Sequence, residues 1–442
     1  MTSFDSVAST KTQNYAERAR AVIPGGVNSG QRQVPGLEEF VVTGTAGATI
    51  RDDRGNTYVD YHAAFGPPLL GHNDPDVDAA VVSALRDSAV TGVGVTPREV
   101  ELAEQLTTLW PSFEQVLLTS TGSEATFSAV RLARAATGRR TIAKFQGCFH
   151  GSYDSLAMNV ISRAERVGHK DPLSTGILQE VIDETLVLRF NDLDEVRRTF
   201  DEHRGEIAAV IVEPIPHNVG ALIPKAGFLE GLRELCDRDG VVLIFDEVIT
   251  GFRHAVGGYQ SIIGVVPDLT TVGKAMANGY PIGALGGRRD LMEMFSTTPG
   301  KPVMFAGTFN GHPVGVTAAL ATIDKLLREP VHEHIFELGE RARRELRDLF
   351  KSLGVPAVVS GFGSVWVTYF LEPPVDSYDD LLRNDVEMFV GYRLEQIKQG
   401  IFELPLNLKR NHFSYAHTSD HVDELLATTE RSVRTVLDRR RT

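Results

Sequence analysis

The sequence has almost no cysteine. Cys148 and Cys236 are the two in 442 residues. They are too few for a disulfide framework and lack the spacing of a metal site, as fits a reducing compartment where thiols stay free. Positive charge is also in deficit: 45 Lys and Arg stand against 58 Asp and Glu, for a net charge of -13. The charges are scattered, so nucleic acid is not an expected partner, because phosphate contacts need clustered cations. Long apolar runs are missing too. Blocks such as 207–212 and 241–245 fall far short of the roughly 20 residues of a membrane helix. The first twenty residues have acids and polar groups where a signal peptide needs an apolar stretch. The chain is therefore expected to be cytoplasmic, without membrane or metal.

What is present is an ordinary globular composition, 42% hydrophobic and 23% charged. At this length one core is rarely enough, and the pattern suggests three parts: an N-terminal arm over 1–70, a large α/β domain over 71–315 and a small α+β domain over 316–442. Short apolar runs at 116–118, 141–145, 185–188, 207–212 and 241–245 read as strands, with helices at 124–136, 193–203 and 229–237 between them. Apolar runs without period-two alternation imply strands covered on both faces. Beyond 314 the spacing changes to amphipathic stretches at 316–327, 335–351 and 386–399, around short strands such as 364–370. The last helix is expected to bury Val422, Leu425 and Val433, and its Arg439, Arg440 and Arg441 suit the C-terminal dipole.

Three segments carry candidate chemistry. Asp246 ends a run that reads as a buried strand, and in open α/β sheets ligands sit beyond such ends; alone, it could equally be a cap or a structural ion-pair partner. Ser120-Thr-Gly-Ser-Glu-Ala joins a strand to a helix, so Gly122 and Ser123 could cradle one phosphate, although Ser123 could equally be a plain N-cap. Lys274 lies among small residues, Gly273, Ala275 and Ala277, where a planar ligand could approach. A shielded lysine also has the depressed pKa that an imine-forming nucleophile needs. An amine, a phosphate cradle and a carboxylate at a strand end are together what pyridoxal phosphate requires.

The sequence resembles the class III, fold-type-I pyridoxal-phosphate aminotransferases, and within them the glutamate-1-semialdehyde aminomutase subgroup. The likeness is carried by Gly25-Gly-Val-Asn-Ser, Lys144-Phe-Gln-Gly-Cys-Phe-His-Gly, Phe245-Asp-Glu-Val-Ile-Thr-Gly-Phe-Arg and Pro267-Asp-Leu-Thr-Thr-Val-Gly-Lys. It implies a large, mixed and mostly parallel sheet domain with a smaller C-terminal domain. It also implies pyridoxal 5'-phosphate bonded to Lys274, with Asp246 on the pyridine nitrogen and Val248 under the ring. Phe149 would stack on the other face, and Glu213 and Asn218 would make polar contacts at the ring side. Gly122 and Ser123 would hold the phosphate, while Gly307 and Thr308 would reach the phosphate of a neighbouring subunit, which implies a homodimer with shared sites. His150 reads as a turn residue held by hydrogen bonds.

On the substrate side the resemblance places Arg32 as a carboxylate clamp, with Ser29 and Phe65 nearby and help from Lys409 or Arg410. Departures from the subgroup gather there: Gly30-Gln31, Ala64-Phe65, the 159–180 stretch and 408–412. A mutase must retain its intermediate behind a gate, so a rewritten gate favours transfer between a carboxylate-bearing amino compound, including beta- and gamma-amino acids, and an oxo acid. The alternatives are the aminomutase, an amino-acid racemase on the same scaffold, and a non-catalytic cofactor-binding protein. The last would be expected to have lost Lys274 or Asp246.

Overall fold

A computed structural model describes residues 14–441. Its centre is a seven-stranded sheet in the order Gln115–Thr119, Gly283–Gly287, Leu269–Gly273, Val242–Asp246, Ile207–Val212, Thr141–Phe145, Thr185–Leu188. Gly283–Gly287 runs antiparallel to both its neighbours, and the other pairings are parallel. Alternate residues of the central strands feed two separate cores. Leu243, Phe245, Val210 and Val212 pack on one face, and Val242, Ile244, Ala209 and Ile211 pack on the other. This is why the runs read as continuously apolar.

The expected strands at 141–145, 185–188 and 207–212 have the predicted bounds, and the others differ at their ends, where hydrogen bonding frays. The antiparallel strand Gly283–Gly287 was not foreseen. Its sequence, Gly-Ala-Leu-Gly-Gly, has low β-propensity, but the space demands it. A Cβ at Gly286 would lie 2.5 Å from the Phe113 ring, and one at Gly283 would lie 2.7 Å from the Thr121 backbone.

Two smaller sheets flank this centre. Val42–Ala46, Thr49–Asp52 and Thr57–Asp60 form antiparallel pairs, and Val59 pairs in parallel with Ile401 far down the chain. Val358–Ser360, Val365–Tyr369 and Asn411–His412 form the third sheet. Two buried arginines tie these parts together through carbonyls: Arg253 donates to Phe413 O at 2.9 Å and to Gly66 O, and Arg410 donates to Phe65 O at 2.7 Å. The terminal helix Ser419–Arg441 buries Val422, Leu425, Val433 and Val436. Its basic end is structural, since Arg439 pairs with Glu395 and Arg440 with Asp385.

Candidate active site

The sheet brings the ends of its parallel strands to one edge. Thr119 and Gly273 both face Gly283 across the ladder, and Asp246 faces Thr271. The residues that follow these ends, Ser120–Ser123 and Lys274, therefore meet Asp246. With Phe149, Glu213 and Val248 they line a cleft of about 260 Å³.

Asp246 is buried, and both its oxygens are held. Oδ1 accepts from the Thr271 hydroxyl at 3.0 Å and the Val248 amide at 3.1 Å, and Oδ2 lies 2.8 Å from His150 Nδ1. Lys274 opens on the cleft with φ at +45°, a left-handed backbone that costs a non-glycine residue on the order of 1 kcal/mol or more. Burial, then the Arg410 guanidinium, bring its amine down to about 8, against the pull of Asp246 and Glu213.

Glu213 is buried with its carboxylate on backbone donors, Phe149 N at 2.7 Å and His217 N at 3.2 Å. Desolvation, followed by the Asp246 charge, pushes its carboxyl up to about 7. On the helix Gly122–Thr137, Thr121 and Glu124 form the capping box, in which Glu124 accepts from the Ser120 and Thr121 amides. Ser123 is thus not the cap. The capping box leaves the Gly122 and Ser123 amides unused at a helix N-terminus, where anions are favoured. A Cβ on Gly122 would sit 2.8 Å from Val248, and one on Gly151 would sit 2.5 Å from Ser123 Oγ, so the cradle depends on missing side chains.

Other expected residues lie outside this lining. Asn218 donates to Glu213 Oε1 at 3.3 Å from behind. Phe65 is half-buried against His62, with its carbonyl bonded to Arg410. Ser29 and Arg32 are exposed at the turn Gly30–Arg32, and Gly307 and Thr308 are exposed on a loop beside Met304 and Phe309. Two residues that sequence reasoning passed over have a clear place. His150, read as a turn residue, puts its ring on Asp246, and Thr271 grips the same carboxylate. Thr271 was findable from its position three residues before Lys274 on the next strand.

The class-III aminotransferase family model matches residues 30–385. The chain belongs to that family. It is 40% identical over 425 residues, 95% of its own length and 98% of the relative's, to glutamate-1-semialdehyde 2,1-aminomutase 2 of Lachnoclostridium phytofermentans. Among solved structures it is similar to an omega-transaminase from Sphaerobacter thermophilus, at 35% identity, with a TM-score of 0.89 and coverage of 96% and 97% of the two chains. It also matches a transaminase with pyridoxal phosphate bound, at 31% identity, with a TM-score of 0.87 and coverage of 97% and 98%. The cofactor of this class-III fold is pyridoxal 5'-phosphate. The residues present fit it: a lysine with a lowered pKa, a fixed carboxylate and an anion cradle share one cleft.

Proposed function

We propose that the chain transfers an amino group between a carboxylate-bearing amino compound and an oxo acid. Bound pyridoxal phosphate supplies an aldehyde that bonds amines and a ring that withdraws electrons from the adjoining carbon. Lys274 would give the amine that holds that aldehyde and would be the group at hand to accept and return the substrate's proton. Asp246 keeps the ring nitrogen protonated, with its own orientation fixed by Thr271, Val248 and His150. The Gly122 and Ser123 amides would hold the phosphate, Val248 and Phe149 would pack on the ring, and Glu213, which accepts from Asn218, would offer a polar contact.

The observation that carries the choice of an anionic substrate is a pair of buried cations outside the cleft lining whose charges reach Glu213. Lys409 and Arg410 are both buried, and neither forms an ion pair within 4 Å among the described residues. Lys409 donates to Asn218 O at 3.3 Å. Arg410 reaches His217 O and Phe65 O, each at 2.7 Å, and His412 Nε2 at 3.2 Å. Burial lowers Lys409 to about 8 and Arg410 to about 10. A substrate carboxylate would relieve that unpaired charge, and exposed Arg32 is the candidate clamp.

The aminomutase relatives at 40% identity favour a second reading, transfer within one molecule. Incubation with glutamate-1-semialdehyde alone separates the two. Accumulation of 5-aminolevulinate supports the mutase, whereas turnover only with a paired amino acid and oxo acid supports the transferase.

A further inference from the structure

Lys144 is fully buried near the end of the strand Thr141–Phe145. Its ammonium faces backbone rather than a carboxylate: it donates to Cys148 O at 2.9 Å, Leu156 O at 3.4 Å and Met158 O. An ammonium has three donors, so each is used. The acceptors bracket one irregular segment, with Cys148 at its start and Leu156 and Met158 at its end. Within that segment the Phe149 amide reaches Glu213, the His150 ring reaches Asp246, and His150 O accepts from the Thr126 hydroxyl at 2.7 Å. Outside it, Gln146 and Asn159 clasp the base through neutral amide bonds.

We propose that Lys144 is a positioning residue of the active site, drawing the two ends of segment 148–158 onto one ammonium and so holding Phe149 and His150 against Glu213 and Asp246. This rests on the reading of the cleft as the pyridoxal-phosphate site. A buried ammonium is costly unless every donor is satisfied, and its carbonyl partners are equally costly once orphaned. Leu156 O also accepts from the Met158 amide at 2.8 Å, so removing the cation leaves the Cys148 and Met158 carbonyls, one at each end, without a donor, and the segment can satisfy them only by turning toward water. Such a turn pulls on the Phe149 amide and on the imidazole that fixes Asp246, although neither Lys144 nor its acceptors line the cleft. Burial brings the Lys144 amine down to about 8, and the Glu213 charge opposes that shift.

The test uses Lys144→Met, which keeps the length and removes the donors, and Lys144→Gln, which keeps two N–H donors. The expected result is a folded Lys144→Met chain that binds pyridoxal phosphate at least tenfold more weakly in an absorbance titration. In the cofactor-free chain it should also lose the low-field Nδ1 proton resonance of His150, assigned by its absence in His150→Ala. Lys144→Gln should recover part of both. A lower thermal midpoint with unchanged affinity and resonance would show a merely structural lysine and overturn the proposal. If neither variant folds, hydrogen exchange on the wild-type chain decides. Phe149, Leu156 and Met158 amides opening with one common rate supports a single tie, and independent opening of the two ends overturns it. A wild-type chain that never binds pyridoxal phosphate removes the reading of the cleft, whereas a Lys144→Met chain matching a competent wild type removes this inference alone.

Discussion

His150 Nδ1 lies 2.8 Å from Asp246 Oδ2, with both side chains buried. Burial lowers the imidazole's proton affinity, and the Asp246 bond opposes that shift. A neutral ring with its proton on Nδ1 satisfies both, and leaves the buried Nε2 as the bare nitrogen without a partner. The histidine thus donates to the carboxylate without neutralising it. Asp246 retains Thr271 and Val248 when the ring is removed, so His150→Ala should lower kcat/KM by roughly 10- to 100-fold, about 1.4 to 2.7 kcal/mol. Asp246→Asn, which removes the charge itself, should cost about a thousandfold or more. Steady-state kinetics on the two variants check the order, and a His150→Ala enzyme at wild-type kcat/KM would refute the role.

The amine of Lys274 sits at about 8 because of burial first and Arg410 second. Its neutral form is the nucleophile, so the neutral fraction rises about tenfold per pH unit below 8 and then levels. The rate at which cofactor-free protein captures pyridoxal phosphate, followed by stopped-flow absorbance, should show that midpoint. Removing a nearby cation favours the protonated amine, so Arg410→Met should move the midpoint to higher pH. A capture rate that keeps climbing past pH 10 in the wild type would mean an ordinary solvated lysine.

Much of this site was legible because its chemistry is local in the chain. Asp246, Gly122 and Ser123 each follow the end of an apolar run, Lys274 stands among small residues, and the strand ends of an α/β sheet converge whatever the loops do. The His150 partnership was hidden because its carboxylate lies 96 positions away, and nothing in the 145–151 stretch says which way the ring turns. The glycine-rich strand Gly283–Gly287 was hidden for a different reason. Its residues are chosen by the Phe113 ring and the Thr121 backbone, which no periodicity in its own five residues records. Lys409 and Arg410 were visible as cations, but only the fold shows that they are buried and bonded to carbonyls.

Buried histidines set an acid limit on the fold. His62, His150, His217, His254, His332, His412 and His417 all have their proton affinity lowered by burial. The unfolded chain binds their protons near pH 6.5 while the folded chain does not, so stability falls as pH drops through that value. The loss grows as the pH falls further below that value. Glu213 and Glu247 act with the opposite sign, since their raised carboxyls take protons first in the folded state. Seven groups outweigh two, and the thermal midpoint should be lower at pH 5 than at pH 7.5 by a few degrees. Scanning calorimetry at the two values measures it, and an equal or higher midpoint at pH 5 would contradict the balance.

The loop bearing Gly307 and Thr308 lies outside the cleft lining of one chain. Met304 is 67% exposed and Phe309 61% exposed, and a cover over such apolar side chains is what a protein interface would supply. A loop serving only its own chain would instead be expected to fold these two side chains inward over the cleft. We propose a homodimer in which this loop reaches the partner's phosphate cradle, which would account for the exposure and add to the Gly122 and Ser123 amides. Phe309→Asp puts a charge into the covered surface, which an interface does not tolerate without a partner cation. Sedimentation velocity should then show monomers where the wild type gives dimers. The monomers should keep their far-UV circular dichroism and lose pyridoxal phosphate at least tenfold more readily on dialysis. A Phe309→Asp chain that remains dimeric with full cofactor retention would place the interface elsewhere.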